Sequence, residues 1–235
     1  MIVYGRNPVR EALRGRREVG KIWATQAVAR EPWLRDRETR ETEPDELEAL
    51  CGSPDHQGVC AEASPFPYVD ADSLLAGEEA LVVCLDEVQD PHNLGAVCRV
   101  AEAAGATGVV VPERRAAEVT PAVCRASAGA VEHLAVARVR NLADWLASAK
   151  EAGAWVYGAD AEAGVPYDRP DYRGRVVLVL GSEGKGLRPR VAGSCDELVA
   201  LPLWGKIGSL NVSTAAAALL YGILHFRAAT LDRAP

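Results

Sequence analysis

The stretch ALVVCLDEVQDPHNLGAVCRVAEAAGATGVVVP, residues 80–112, indicates the class of fold. An apolar run at 80–86 leads through a polar turn into a helix of small residues over 93–104, and a second apolar run follows at 107–112. Nearly continuous apolar strands joined by helices are typical of a parallel sheet that is covered on both faces. We therefore predict an α/β fold built on a parallel sheet.

The same alternation of strand and helix continues towards the C-terminus. Ligands of such sheets bind beyond the carboxyl ends of the strands, so the loops that follow the strands are where we expect functional residues. The sequence predicts further strands at 133–139, 154–160, 175–181 and 197–203, helices at 120–132, 141–153 and 187–195, and a long last helix at 211–229.

The first seventy residues form a separate unit in this interpretation. The sequence predicts a helix at 4–15 with Asn7 as its N-cap, a strand at 19–28, a helix at 43–52 and a strand at 57–63. Two prolines within SPFPYVDADS, residues 64–73, indicate a linker. We expect a boundary near 64–72, which gives a small α/β domain at 1–70 and a larger domain at 71–235.

Composition limits the classes of function. The 235 residues are 49% hydrophobic and 25% charged, which is ordinary for a globular protein. The sequence has no uninterrupted apolar run of about eighteen residues and no apolar leader, so we expect no membrane span and a cytoplasmic location. The six cysteines include no CxxC pair, which argues against a zinc site and favours reduced thiols.

The net charge of −7 is not typical of a nucleic-acid-binding protein, so an RNA-binding surface would have to be local. Arg6, Arg10 and Arg14 recur at steps of four residues, which places them on one side of the first predicted helix. The alternative is that this arginine row, like the acidic residues over 31–48, is a solvated face.

The loop after the strand at 80–86 carries two unusual polar residues. Asn93 is placed to cap the following helix, and Arg99 is a single positive charge among small apolar residues. The alternative for Arg99 is an ordinary surface pair with Glu102, three residues further along the helix.

Two further loops are rich in glycine. LGSEGKGL, residues 180–187, has three glycines that allow a ligand to approach the backbone and Glu183 between them, but its spacing matches neither GxGxxG nor the Walker A loop. The other loop leads from the strand end at 201–203 to Ser209 and Asn211, one of which we expect to cap the last helix. Because that helix is apolar on most sides, it is expected to be buried in the core or against a partner chain.

Taken in order, these stretches resemble the three sequence motifs of the SpoU (TrmH-type) RNA ribose 2′-O-methyltransferases. The segments that carry the resemblance are LDEVQDPHNLGAVCRVAEAAGA, LVLGSEGKGL and LPLWGKIGSLNVSTAAAALLYGILHFR, within residues 80–228. YGRNPVREALRG and HQGVCAEA also resemble the small RNA-binding domain that precedes the catalytic domain in RlmB-like members of the family.

The resemblance implies a SPOUT fold, whose C-terminal stretch forms a trefoil knot that makes the pocket for S-adenosylmethionine. It also implies a homodimer. From the cysteine spacing we expect no metal. Carried over position by position, the resemblance assigns the cofactor site to Gly181, Leu201 and Leu210. It assigns the functional polar positions to Asn93, Arg99, Glu183, Ser209 and Asn211.

The reaction that the resemblance implies is methylation of a ribose 2′-hydroxyl in RNA. The N-terminal domain favours a guanosine of large-subunit (23S) ribosomal RNA, and transfer RNA is the alternative. A catalytically silent RNA-binding dimer is a further alternative, against which the intact set of polar residues argues. An unrelated nucleotide-binding enzyme has little support, because both phosphate-loop motifs are missing.

Accounts of the family give the arginine of the first motif, here Arg99, the task of activating the 2′-hydroxyl. Removing a proton from an arginine at pH 7 costs about 9 kcal/mol, whereas general-base help usually gives only about 10²–10⁴-fold. We therefore favour Arg99 as a cation that binds phosphate or stabilises the developing alkoxide.

Overall fold

A computed structural model describes residues 1–231, in which two sheets lie on either side of residues 64–80. The N-terminal part consists of β1 (Ile2–Tyr4), α1 (Arg6–Ala12), β2 (Val19–Ala24), α2 (Gln26–Ala29), β3 (Thr39–Glu41), α3 (Pro44–Cys51) and β4 (Val59–Ala63). Its four strands are ordered β1-β4-β2-β3, with β4 antiparallel to both of its neighbours.

The larger sheet has seven strands, and every neighbouring pair is parallel. Its elements are β5 (Leu81–Asp86), α4 (Pro91–Ala103), β6 (Gly108–Pro112), α5 (Pro121–Ala126), β7 (Ala135–Val139), α6 (Leu142–Glu151), β8 (Trp155–Ala159), β9 (Val165–Pro166), β10 (Val176–Gly181), α7 (Pro189–Ala192), β11 (Glu197–Ala200) and α8 (Val212–Leu231). The predicted parallel α/β sheet is confirmed. The trefoil knot stays a prediction.

The strand order β7-β6-β5-β10-β8-β11-β9 contains a reversal of direction. From β5 the chain builds β6 and β7 on one side, then crosses to β8 and inserts β10 between β5 and β8. Parallel sheets bind ligands at such a switch point, in the crevice outside the carboxyl ends of the strands. The loops after β5, β10 and β11 meet at this edge.

Several element boundaries differ from the predicted ones. β1, β3 and β9 have only two or three residues, too few to produce a periodic pattern, and were not predicted. The helix predicted at 120–132 is divided into α5 and a 3₁₀ turn at Ala130–Glu132, because Gly129 between them has a left-handed φ of 88°. β11 ends at Ala200, so residues 201–203 belong to the following loop.

Two predicted helix caps are wrong. α1 begins at Arg6 after Gly5, so Asn7 lies inside the helix. α4 begins at Pro91, and its N-cap is Asp90, whose carboxylate accepts a hydrogen bond from the His92 backbone N–H at 2.9 Å. Asn93 is therefore not a cap, and its side chain is available for other contacts.

A buried ion pair joins the N-terminal part to the rest of the protein. Arg17 donates from Nε to a carboxylate oxygen of Glu132 at 2.9 Å and also from Nη2, and each side chain is only 1% exposed. Arg17 also donates to the Ser64 carbonyl at 3.2 Å. One apolar core runs across this contact, since Val9 and Val131 belong to the same cluster. The two parts are thus packed together, and the division into domains at residue 70 stays a prediction.

The last helix, α8, is apolar on most sides. One side is buried in the core through residues such as Ala216, Leu220 and Ile223, whereas Tyr221 is 54% exposed. By length and composition alone, Val212–Thr230 is also long and apolar enough to cross a membrane, with 28% of it buried inside the structure, and a single helix of this kind is weak evidence for a membrane span.

Candidate active site

A cleft of about 530 Å³ opens at the carboxyl ends of β8, β10 and β11. Its wall includes Gly181, Leu201 and Leu210, the three residues predicted to hold the cofactor, together with Glu183 and Ser209. The structure therefore places these five predicted site residues on the wall of one cleft. Their roles there are proposals.

The glycine loop after β10 is folded tightly against itself. Gly186 donates its N–H to the Ser182 carbonyl at 2.9 Å, and Gly184 and Gly186 have left-handed φ values of 77° and 65°. A side chain at Gly181 would overlap the backbone of Gly186 and Leu187. The loop can therefore present backbone groups to a ligand at close range only while these positions are glycine.

Two amides and one carboxylate from distant parts of the chain form a hydrogen-bonded cluster. Asn93 of α4 and Asn211 both donate from Nδ2 to Oε1 of Glu183, the Asn93 bond being 3.1 Å long. Asn211 also donates to Oδ1 of Asn93 at 3.0 Å. Three residues that the resemblance marks as functional, far apart in sequence, therefore lie in direct contact.

Asn211 has a second task, as the cap of α8. Its Oδ1 accepts hydrogen bonds from the backbone N–H of Ser213 at 2.9 Å and from the Ser213 hydroxyl at 2.6 Å. This places its Nδ2 towards Glu183, because the two ends of one amide point in opposite directions. Of the two expected caps, Asn211 is the one observed, and Ser209 lies exposed on the cleft wall.

Arg99 is not hydrogen-bonded to this cluster. It is exposed on α4, does not line the cleft, and forms no salt bridge or side-chain hydrogen bond with any residue between 1 and 231. The alternative of a surface pair with Glu102 is therefore not observed. An exposed, unengaged arginine on the helix that carries Asn93 is available to an incoming ligand.

The cysteines near the site are not nucleophiles. All six are free, and burial together with the neighbouring thiol raises the pKa of Cys98, next to Arg99, to about 12. A thiol of this kind is protonated at neutral pH and behaves as a small apolar side chain. Within residues 1–231, no three side chains of His, Cys, Asp or Glu are grouped as metal ligands.

Asp86 and Arg188 are not among the predicted site residues. Asp86, at the end of β5, is 1% exposed and accepts hydrogen bonds from the Arg188 backbone N–H and Nε, both at 2.8 Å. The hydrogen bonds to Asp86 raise the pKa of Arg188. This pair fixes the end of the glycine loop to the sheet. A charged residue closing an otherwise apolar strand, LVVCLD, was the signal that could have revealed it.

The three arginines predicted to bind RNA are ion-paired within the protein. Arg6 pairs with Glu31 at 2.9 Å, and Arg10 and Arg14 pair with Glu11 at 3.0 and 3.4 Å. α1 ends at Ala12, so Arg14 lies beyond the helix. Their charges are therefore partly compensated before any RNA approaches.

Solved structures of the same architecture include methyltransferases. AviRb of Streptomyces viridochromogenes, a SpoU methyltransferase solved in complex with AdoMet, matches 97% of this chain and 90% of its own with a TM-score of 0.82 and 28% identity. An RNA 2′-O ribose methyltransferase matches with a TM-score of 0.82 and 26% identity, over 97% of this chain and 88% of the other. The fold and the cleft define an S-adenosylmethionine-dependent RNA methyltransferase.

Sequence comparison identifies the family. The model of the SpoU rRNA methylase family matches residues 80–221, and that of the RNA 2′-O ribose methyltransferase substrate-binding domain matches residues 2–69. YacO of Bacillus subtilis, named for the TrmH family of tRNA/rRNA methyltransferases, is 39% identical over 96% of this chain and 95% of its own length. The chain belongs to the SpoU rRNA methylase family.

Proposed function

We propose that the protein transfers the methyl group of S-adenosylmethionine to a ribose 2′-hydroxyl in RNA, with a guanosine of large-subunit (23S) ribosomal RNA as the substrate. The observation that carries this proposal is the Asn93–Glu183–Asn211 cluster, since Glu183 belongs both to it and to the cofactor cleft. The match of residues 2–69 to a 2′-O ribose methyltransferase substrate-binding model supports ribose as the acceptor. Transfer RNA is the second candidate, since the relatives are named for both RNAs.

Gly181, Leu201 and Leu210 hold the cofactor in this proposal, and the cofactor supplies an already activated methyl group. The protein then has to position the hydroxyl and stabilise the charge that develops as its proton leaves. The Glu183 carboxylate fixes the amides of Asn93 and Asn211, and the amide of Asn211 is fully used by Glu183, Asn93 and Ser213. The second Nδ2 hydrogen of Asn93, Oε2 of Glu183 and the hydroxyl of Ser209 can orient the ribose. Arg99 acts as a cation for the phosphate or the developing alkoxide.

The protein works as a homodimer in the cytoplasm in this proposal, without a membrane or a metal. Large apolar side chains are exposed around the cleft and along α8, with Trp204 at 95%, Ile207 at 75% and Tyr221 at 54%. A second copy of the chain would remove this surface from water. Light scattering of a fully active sample should give twice the mass of 25.0 kDa, and an active monomer would contradict it.

Nucleoside mass spectrometry tests the reaction directly. The protein is incubated with methyl-labelled S-adenosylmethionine and with ribosomal or transfer RNA, and we expect labelled 2′-O-methylguanosine in 23S RNA. Gly181→Val, in which the added side chain meets Gly186, is the matched inactive control. Label on a base would contradict ribose methylation, label in transfer RNA alone would select the second candidate, and RNA binding without label would indicate a silent RNA-binding dimer.

Arg99→Ala should lower single-turnover methylation by at least about 10²-fold while S-adenosylmethionine affinity stays the same. Arg99→Lys separates the two possible roles, because neutralising a lysine costs about 5 kcal/mol less than neutralising an arginine. A planar cation with several donors is not replaced by lysine, so we expect this variant to be nearly as poor as alanine at every pH. A lysine variant that recovers the parental rate at high pH would show that Arg99 is a base.

A further inference from the structure

A second pocket lies at the same edge of the large sheet, beside the cofactor cleft. It has a volume of about 640 Å³ and occupies the carboxyl ends of β6 and β7. Five arginines from three loops and from α7 line it, namely Arg114, Arg115, Arg140, Arg188 and Arg190. None of them stands out in the sequence, because they come from parts of the chain up to 76 residues apart.

The charges in this pocket do not cancel. Arg188 pairs with Asp86 and Glu87, Arg115 also pairs with Glu87, and Arg190 pairs with Asp144. These three carboxylates face five arginines. In the part of the chain that the structure describes, Arg114 and Arg140 form no salt bridge and no side-chain hydrogen bond.

Local backbone structure adds to the positive potential. α6 is ten residues long, and its N-cap Asn141 and first residues form part of the wall, so the positive end of the helix dipole points at the pocket.

Two residues beside the pocket have a strained backbone. Glu87 and Arg115, which are ion-paired at 3.4 Å, both have a left-handed φ of 57°. Such backbone conformations are unfavourable for residues other than glycine and persist where the surrounding structure requires them.

The glycine loop links the pocket to the cofactor cleft along the sheet edge. The glycine loop begins at Gly181 in the cleft and ends at Arg188 in the pocket, where buried Asp86 holds it. Only β5 separates β10 from β6, so the nearest strands of the two sites are about 10 Å apart at the spacing of neighbouring strands. A polyanion held in the pocket therefore lies at the same edge of the sheet as the reacting group.

We propose that this arginine pocket binds phosphate groups of the RNA substrate on the strand that leads to the methylated nucleotide. The inference rests on the proposed function, which supplies the RNA. Arginine suits this task because its planar guanidinium donates two parallel hydrogen bonds to phosphate oxygens. In a chain of net charge −7, RNA needs a local positive site to overcome the general repulsion.

The test uses the full chain and a fluorescein-labelled 20-nucleotide oligouridylate, titrated at several salt concentrations. The variant is Arg114→Gln with Arg140→Gln, which removes the two arginines that have no acidic partner in the described chain. No carboxylate of the described chain therefore loses an ion-pair partner. Losing two phosphate contacts should weaken binding about 10-fold at 0.15 M salt and flatten the salt slope by about 1.4. Affinity for S-adenosylmethionine should stay at the parental value, which also shows that the variant is folded.

The matched control is Arg169→Gln with Arg173→Gln, which removes the same charge from the exposed loop before β10. This control variant should show the same dependence of RNA binding on salt as the parent. An unchanged slope in the pocket variant, or an equal loss in the control, would overturn the proposal. Uridine 5′-monophosphate binding as tightly as the oligouridylate would also overturn it, in favour of a free nucleotide. If the parent binds RNA through the pocket but transfers no methyl group, the result would contradict the proposed methyl transfer and would still support RNA binding by the pocket.

Discussion

The arginines near the N-terminus and those of the arginine pocket differ in what surrounds them. Arg6, Arg10 and Arg14 share two carboxylates, Glu11 and Glu31, and lie within one short segment of sequence. The pocket combines arginines from three loops and from α7, and two of them have no acidic partner in the described chain. The comparison teaches that a row of like charges in the sequence does not show which charges are free in space.

The largest difference between the two regions should appear when Arg188 is replaced. Arg188→Gln leaves Asp86, whose side chain is fully buried, without its charge partner, so we expect a loss of about 2 kcal/mol in the free energy of unfolding. It should also weaken S-adenosylmethionine binding, because Arg188 anchors the glycine loop. Urea unfolding and calorimetry measure both effects.

Arg190→Gln is the matched control for this variant. Its partner Asp144 is 61% exposed, and an exposed pair contributes less than about 1 kcal/mol. Equal losses of unfolding free energy and of S-adenosylmethionine affinity in the two variants would show that Asp86 does not anchor the loop.

A smaller effect is expected from the N-terminal arginines. Arg10→Gln with Arg14→Gln should raise the RNA dissociation constant and flatten the salt slope, but by less than the 1.4 or so expected for the pocket variant. The reason is that Glu11 already compensates part of their charge. S-adenosylmethionine affinity should not change. A slope identical to that of the parent would show that this row is a solvated face.

Glu11→Gln sharpens the same comparison. Without the carboxylate, Arg10 and Arg14 are free, so the salt slope should become steeper by up to about 0.7, the value of one phosphate contact on a single strand. Glu46→Gln, which releases Arg40 on the surface, removes an equal charge elsewhere in the N-terminal part. If the salt slope of RNA binding became equally steep in Glu46→Gln, net charge would be the cause.

The smallest expected effect is a dependence of stability on pH through Glu11. Burial alone would raise the pKa of this carboxyl, but the hydrogen bonds from His133 and Arg10 and the charge of Arg14 outweigh it and lower the pKa. A lowered pKa in the folded state means that the contribution is complete above the unfolded pKa and is lost as the pH falls through the folded pKa.

The difference in unfolding free energy between the parent and Glu11→Gln should therefore be less than about 1 kcal/mol at pH 7 and should disappear in acid. Chemical denaturation at a series of pH values measures it. A difference in unfolding free energy that grew in acid would contradict the predicted direction of the pH dependence.

Sequence patterns predicted six of the seven strands of the large sheet, because long apolar runs must be buried, whatever their neighbours. They also identified Asn93, Glu183 and Asn211, but misjudged Asn93 as a helix cap. The cap is Asp90, three residues earlier, and the pattern of small polar residues at a helix start does not distinguish the two. β1, β3 and β9 could not be predicted, because such short strands exist only through pairing with strands distant in the chain.

The order of residues was enough to predict the alternation of strand and helix, the glycine loop and the residues that resemble a family's motifs. Each of these depends on neighbours along the chain, through periodicity, turn preference and spacing. The three-dimensional fold was needed to show that β10 lies between β5 and β8, that Asp86 anchors Arg188, and that Arg114 and Arg140 have no acidic partners in the described chain. The physical reason is that pairing and electrostatic compensation depend on distance in space, which the strand order sets.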